Sequence, residues 1–569
     1  MALTKVSYSM ITGAPVSVID YGADPTGVTN STAAFQAAAA VIQANDGGKL
    51  VIPAGTYTVG SQTFAGAFGQ GYSYRGARII DIRNCTNPVV IEFQGAKLKL
   101  ANGLKFGSFN PVTGVVYNPP SMPFTNADYA ADVGVFIDVE DNQNVSIVGS
   151  CELDGNIQNI VLGGTFGDTG YQCIGYGILA YGNLILNIEN VYTHHHALDG
   201  VVLGWTALTA QDPAKPTKLL NVVSEYNARQ GISIVGGKGI TLENCKFNFT
   251  GRSSFSSGPG AGIDFEAESS VVRNVTLVNC EVIGNTGVGF LADSGDNADI
   301  SAYSCNFVGT TFYSIWPKMP RISFYDCLIV GACTNAYGDV NYADNATKFY
   351  NCLFTDFVSF GFGGATYNPG NLVDFNGKNI LFNGCTIEAG RQKIGNIQDV
   401  TFENCQMTQI AGTNVGIVNQ DWVAYLHGAK FTNLSFLDDI ALANRPADAY
   451  YIDLDGTEVY SGVNFLTTTT NKIRWINWSA AAGGSTGALG QNLANLAPFT
   501  RLSLGKSTGN RLIGFYGTID IVSGPAAPTV DTWRVGDRCI NSNPIVGQPK
   551  GWACTVAGTP GTWVSEGNL

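Results

Sequence analysis

The chain has 569 residues, of which only 13% are charged, with 70 glycines and a formal net charge of −13. So acidic a chain argues against nucleic acid as a partner, and the glycine content is well above the usual share of about 7%. No apolar run reaches the ~18 residues that span a membrane, and Met1 to Pro15 lacks the basic start and apolar core of a secretory signal.

Residues 1–15 read as a short polar and aromatic lead. Val16 to Gly27 follows as Val-Ser-Val-Ile-Asp-Tyr-Gly-Ala-Asp-Pro-Thr-Gly, and Asn30 to Thr32 offers N-cap chemistry. Residues 33–44 are alanine-rich and predict a helix with Phe35, Ala39 and Ile42 on one stripe. Gly47-Gly48 ends it, and residues 50–57 predict a strand with a turn. Residues 58–135 hold irregular insertions rich in glycine and aromatics, with Pro119, Pro120 and Pro123 in loops.

From residue 136 to about 430 the sequence repeats a local frame, a glycine followed by mostly apolar residues, aligned on Gly177, Gly200, Gly231, Gly262 and Gly289. The fixed frame and variable step predict a solenoid whose turns carry loops of different length. Inward positions are Ile178, Val201, Ile232, Ile263 and Phe290, then Ala180, Leu203, Ile234, Phe265 and Ala292. The outward position at the end of each frame reads Tyr181, Gly204, Val235, Glu266 and Asp293, which stacks Glu266 and Asp293 on neighbouring turns beside Asp264.

Seven cysteines, Cys245, Cys280, Cys305, Cys327, Cys352, Cys385 and Cys405, follow Asn, Ser, Asp or Gly in a second recurring frame. Their spacing matches no zinc signature and predicts a ladder of reduced, buried thiols, as suits folding in a reducing cytoplasm. The frame stops near residue 430. Residues 431–525 are read as a separate C-terminal β domain containing the Ala- and Gly-rich stretch 479–488, Ser523 to Pro528 as a linker, and 526–569 as a small terminal module in which Cys539 and Cys554 could pair, although assembly in a reducing cytoplasm favours free thiols.

The strand Gly262 to Glu268 carries the candidate chemistry. Glycoside hydrolysis needs two carboxyl groups about 5 Å apart to retain configuration or roughly 6.5–9.5 Å apart to invert it. Solenoid turns stack about 4.8 Å apart, so Asp264, Glu266 and Asp293 are the candidate catalytic acids; a solvated acidic strip or a cation site is the competing reading of the same face. Crowding would raise at least one pKa, as a general acid requires. Candidate substrate contacts are His195, Asp199, Trp205, Glu225, Arg229, Arg252 and Trp316, with Asp199 open to the plainer reading of a turn residue and the tryptophans to that of burial. Three consecutive histidines, His194 to His196, cannot all face one metal on a strand, and neither a metal nor a cofactor is expected.

Asp20 to Gly27 (Asp-Tyr-Gly-Ala-Asp-Pro-Thr-Gly), the alanine-rich helix and Val51 to Tyr57 (Val-Ile-Pro-Ala-Gly-Thr-Tyr) resemble the opening of pectate-lyase-like right-handed β-helix proteins, above all bacteriophage tailspikes that depolymerise surface polysaccharide. Asn144 to Gly149 leading to Asp154-Gly155-Asn156 is similar to a turn of the same superfamily. The resemblance implies an all-β, right-handed parallel β-helix with a capping helix and a C-terminal β domain, assembled as a homotrimer in the virion. It implies a bacterial capsule or O-antigen as partner, another tail protein docked through the N-terminal lead, and no membrane insertion. It implies an endo-acting hydrolase, with a polysaccharide lyase using Arg252 or a non-catalytic adhesin as alternatives. The Asn-Thr-Asp and Gly-His-Gly sequences of pectin hydrolases are absent, as is a P-loop.

Overall fold

The computed structural model describes residues 14–120, 126–164, 173–309, 311–355, 372–389, 395–409 and 519–569 apart from 531, together with the strands Trp422–His427, Lys430–Asp438, Tyr450–Asp453, Glu458–Thr467, Trp475–Ile476, Leu502–Ser503 and Leu512–Tyr516. Residues 1–13 of the lead and the stretch 479–488 lie outside the described residues. The chain divides into two compact units, Met1–Thr334 with Phe362–Asn368, and Asn335–Gly361 with Pro369–Leu569.

The first unit opens with the helix Thr32–Ala44. Asn30 Oδ1 accepts from the Thr32 amide at 2.9 Å and the Thr32 hydroxyl at 2.6 Å, so the capping group lies inside the predicted Asn30 to Thr32 segment. Phe35, Ala39 and Ile42 are buried, and Phe35 meets Tyr57 edge-on at 5.4 Å. The helix thereby covers the first turn of a coil whose backbone edge would otherwise invite pairing.

Beyond it the chain winds as stacked parallel rungs with three strand faces per turn. On the first face Gly134–Glu140 pairs with Gly175–Tyr181, then Asp199–Gly204, Gln230–Ile234, the start of Ile263–Val278, Phe290–Asn297 and Ile315–Pro317. The second runs through Leu186–Glu189, Thr217–Leu220 and Gly237–Glu243. The third runs through Val191–His194, Val223–Glu225, Lys246–Asn248, Glu281–Ile283, Asn306–Val308 and Leu328–Val330. The predicted inward residues Ile178, Val201, Ile232, Ile263 and Phe290 are all 0% exposed and stack in register. The frame glycines mark a close approach: a Cβ on Gly231 would lie 2.6 Å from the Gly262 carbonyl oxygen of the next rung.

The cysteine frame has an equally local cause. The residues before Cys245, Cys280, Cys305 and Cys327 are Asn244, Asn279, Ser304 and Asp326, all with φ between 52° and 53°. A left-handed corner favours Asn, Asp or Gly, and each following thiol points inward. All 13 cysteines are buried and outside any disulfide, Cys539 and Cys554 included. The Cys280 thiol is pushed up to about 12 by its hydrogen bond with Cys245 and by burial.

In the second unit Lys348–Tyr350, Leu381–Asn383, Thr401–Glu403 and Lys430–Asp438 stack in parallel, and Lys430–Asp438 pairs onward with Glu458–Thr467 and that strand with Leu502–Ser503. The ladder therefore passes the boundary read at residue 430; what ends there is the cysteine corner, not the parallel pairing. The terminal module also starts earlier than residue 526. Leu512–Tyr516 and Ile519–Gly524 join Arg538–Asn541, Gly551–Val556 and Thr562–Ser565 in one sheet, so Ser523 and Gly524 pair as strand residues rather than serving as linker.

Candidate functional site

The first face builds the site. Between inward residues, Asp138, Leu179, Val202, Ser233, Asp264, Leu291 and Trp316 follow one another in a single outward column. The face is drier than the alternation predicts. Asp264 is 3% exposed, and Val202, Ser233 and Leu291 are buried beside it. Large neighbours explain this: Tyr176, Tyr181 and Val235 pack over Val202, and Tyr313 and Trp316 pack over Leu291.

Burial holds the Asp264 carboxyl well above the ordinary carboxylate range, and the charges of Glu266, Asp293 and Asp199 add to that, against the pull of Arg229. A carboxyl so placed retains its proton in conditions that ionise an exposed acid. Gln230 Nε2 donates to Asp264 Oδ2, and the buried Gln230 Oε1 has no hydrogen-bond partner among the described residues. Glu266 and Asp293 are each partly exposed. The stacking of Glu266 on Asp293 needs correction: a bulge after Asp264 puts Ser294 opposite Glu266. Asp293 nevertheless acts electrostatically on Asp264, so the three acids do share one neighbourhood.

Asp199 and Arg229 form an ion pair beneath this acid, with Arg229 Nε 2.8 Å from Asp199 Oδ1 and the Asp199 side chain fully buried. Its carboxyl is spent on Arg229, so the assignment of Asp199 as a sugar contact is corrected to a supporting role. Arg229 is itself only 7% exposed. Trp316 stands two rungs beyond Asp264 in the same column, partly exposed, with a buried indole Nε1 that has no hydrogen-bond partner among the described residues. Trp205, also partly exposed, carries the Lys215 ammonium 5.4 Å from its ring.

The remaining candidates lie on the third face and its corner. His195 has φ 56° and stacks on Tyr226 at 5.1 Å, which stacks on Phe249 at 5.1 Å. Burial and the neighbouring His194 hold the His195 imidazole below its usual value. Glu225 pairs in register with His194 and accepts from Asn248 at 3.1 Å; burial raises its carboxyl. Arg252 is exposed, donating to the Gly284 carbonyl and, at 2.7 Å, to the Thr311 hydroxyl. Glu152, Asp154 and His194 bring ligand-type atoms within 4.8 Å of one another, but the Lys97 ammonium lies 2.6 Å from Glu152 and 3.1 Å from Asp154. A cation would have to displace that ammonium.

The sequence reading missed Gln230, although it directly precedes frame Gly231 as Asp199 precedes Gly200. It also missed that Ile137-Asp138-Val139-Glu140 repeats the pattern Ile263-Asp264-Phe265-Glu266 in the same column. Arg78 and Arg83 bridge both Asp138 and Glu140. One copy of the pattern is neutralised, whereas Asp264 takes its direct hydrogen bond from an uncharged amide.

Residues 15–74 match the family described as rhamnogalacturonase A/epimerase, pectate lyase-like, and residues 132–312 match the right-handed β-helix region family. The chain is thus a right-handed parallel β-helix with a pectate-lyase-like N-terminal segment. No curated relative matches the sequence. Among solved structures, the N-terminal fragment of gene product 12 of bacteriophage Phi29 is 15% identical, with a TM-score of 0.39 over 79% of this chain and 70% of its own. A mutant tailspike of E. coli bacteriophage HK620 in complex with pentasaccharide is 13% identical, with a TM-score of 0.38 over 81% of this chain and 76% of its own. The A-module of the Azotobacter vinelandii mannuronan C-5 epimerase AlgE4 is 13% identical, with a TM-score of 0.31 over 81% of this chain and 100% of its own.

Proposed function

We propose that the chain is a phage tailspike that binds a bacterial surface polysaccharide, capsule or O-antigen, and cuts it as an endo-acting glycoside hydrolase. The observation that carries the reading is Asp264: a carboxyl buried on the outward face, raised by burial and by three nearby acids, with Trp316 two rungs along the same column. Asp264 is the general acid that protonates the leaving oxygen. Glu266 or Asp293, both more exposed, supplies the second carboxyl group, which attacks or activates water. Trp316 offers a ring face for a sugar. The assembly is a homotrimer in the virion tail, docked to another tail protein through the N-terminal lead.

Acid catalysis by Asp264 sets the sign of the pH profile: cleavage falls as pH rises through the raised value of Asp264. The test is cleavage of purified capsules and O-antigens followed by new reducing ends. Products bearing an unsaturated sugar instead would assign a lyase, and binding without products an adhesin.

A further inference from the structure

A second polar feature lies on the same face, near the capping helix. A cavity of about 640 Å³ is lined by Gln36 and Gln43 of the helix and by Arg75, Arg78 and Asp81. Both amides are anchored to the strand below: Gln36 Nε2 donates to the Arg78 carbonyl at 2.9 Å, and Gln43 Oε1 accepts from the Arg83 amide at 3.3 Å. The acids here already have cations, since Arg83 binds Asp81, Asp138 and Glu140, and Arg78 binds Asp138 and Glu140. Arg75 is different. It is exposed, makes no ion pair among the described residues, and holds its guanidinium 4.6 Å from the Tyr72 ring centre. A guanidinium lying on an aromatic ring keeps its in-plane N–H fork for a planar anion.

The register connects this cavity to the acid site. Asp81 pairs with Asp138, Asp138 with Leu179, Leu179 with Val202, Val202 with Ser233 and Ser233 with Asp264. Five rungs at about 4.8 Å each separate the two by about 24 Å along one straight face. A linear polymer lying on that face meets both places at once.

We propose that this cavity is a subsite for an acidic sugar of the bound polysaccharide, with Arg75 holding the sugar's carboxylate in a bidentate pair and the two glutamine amides lining the cavity around its hydroxyls. The inference rests on the glycan-groove reading of the first face and adds the substrate class, a uronate-bearing polymer. It also accounts for a cation offered to ligand in a chain of net charge −13: the whole-molecule field repels an acidic polymer, so one needs a local guanidinium to dock.

The test measures binding of oligogalacturonate, oligomannuronate and hyaluronan oligosaccharides to the full chain, each beside its carboxyl-reduced, neutral counterpart. The proteins are the wild type, Arg75→Ala, Arg75→Lys and Asp264→Asn. The wild type binds at least one acidic oligomer tenfold or more tightly than its reduced counterpart, and high salt removes that preference. Arg75→Ala removes it too, Arg75→Lys keeps part of it, and Asp264→Asn leaves it intact. A wild type that binds none of the acidic oligomers, or binds charged and reduced forms alike, overturns the proposal, as does an Arg75→Ala variant with the full preference. If Asp264→Asn still cleaves while Arg75→Ala loses the preference, the acid assignment fails and the subsite stands.

Discussion

Asp132 gives a stability prediction that is independent of any substrate. It is 3% exposed, and its Oδ1 accepts from the Gly76 amide at 2.8 Å. Burial pushes its carboxyl up from 3.8 to about 7, against the amides of Gly76 and Gly134 and the charges of Arg75 and Arg78. The unfolded chain therefore releases this proton near its ordinary value, whereas the folded chain keeps it until near neutrality. The folded state suffers no penalty below the lower value, loses stability as pH climbs through the interval, and reaches a plateau above the upper one. A gap of about 3 pK units sets an upper bound of about 4 kcal/mol on that loss. Asp132→Asn retains the oxygen that accepts from Gly76 and removes the ionisation. Thermal unfolding of both proteins across the pH range should show the variant more stable by about 1–4 kcal/mol near pH 8, with the advantage gone near pH 4. A variant no more stable than wild type on the alkaline side, or an advantage independent of pH, would show that burial does not hold the proton on Asp132.

Three further outcomes follow from the packing. Asp199→Asn leaves the buried Arg229 without its charge partner and should destabilise the fold by about 3–5 kcal/mol, read as a lowered denaturation midpoint; an unchanged midpoint would show that the ion pair is not buried in solution. Gly231→Ala forces a Cβ against the Gly262 carbonyl and should cost on the order of 1–3 kcal/mol, and a neutral result would break the rung register. Thiol reagents should label none of the solenoid cysteines Cys245, Cys280, Cys305 and Cys327 in the native protein and all of them after denaturation, so rapid native labelling of Cys280 or Cys305 would show that the ladder does not face inward.

Much of the fold is legible because its constraints are local. A left-handed corner needs a small set of residues, so Asn244, Asn279, Ser304 and Asp326 announce the turns before their cysteines. A close rung contact needs glycine, so Gly200, Gly231 and Gly262 set the frame, and the inward residues follow by alternation. What eluded the sequence depends on relations between rungs. The bulge after Asp264 shifts the register by one residue and separates Glu266 from Asp293, yet nothing in Phe265-Glu266-Ala267 signals it. Burial of an outward face depends on which aromatics lean over it, so Asp264 reads as wet while Tyr313 and Trp316 pack on the neighbouring rungs. The Asp199–Arg229 pair needs adjacent turns to be stacked before it can be seen. Past residue 430 the parallel pairing continues through strands that lack the cysteine corner, and with that marker gone the repeat is no longer visible in the residues.

Delivery of the proton by Asp264 in glycan cleavage is tested by Asp264→Asn. The amide keeps the size of the side chain and its ability to accept a hydrogen bond, and removes the acidic proton. Reducing-end release from a cleaved capsule or O-antigen should fall by on the order of 10²-fold or more, while binding of the same glycan and the oligomeric state are unchanged. Glu266→Gln or Asp293→Asn should show a comparable loss, identifying the second catalytic carboxyl. Wild-type turnover by Asp264→Asn, with Glu225→Gln abolishing cleavage instead, would contradict the account and move the chemistry to the third face beside His194.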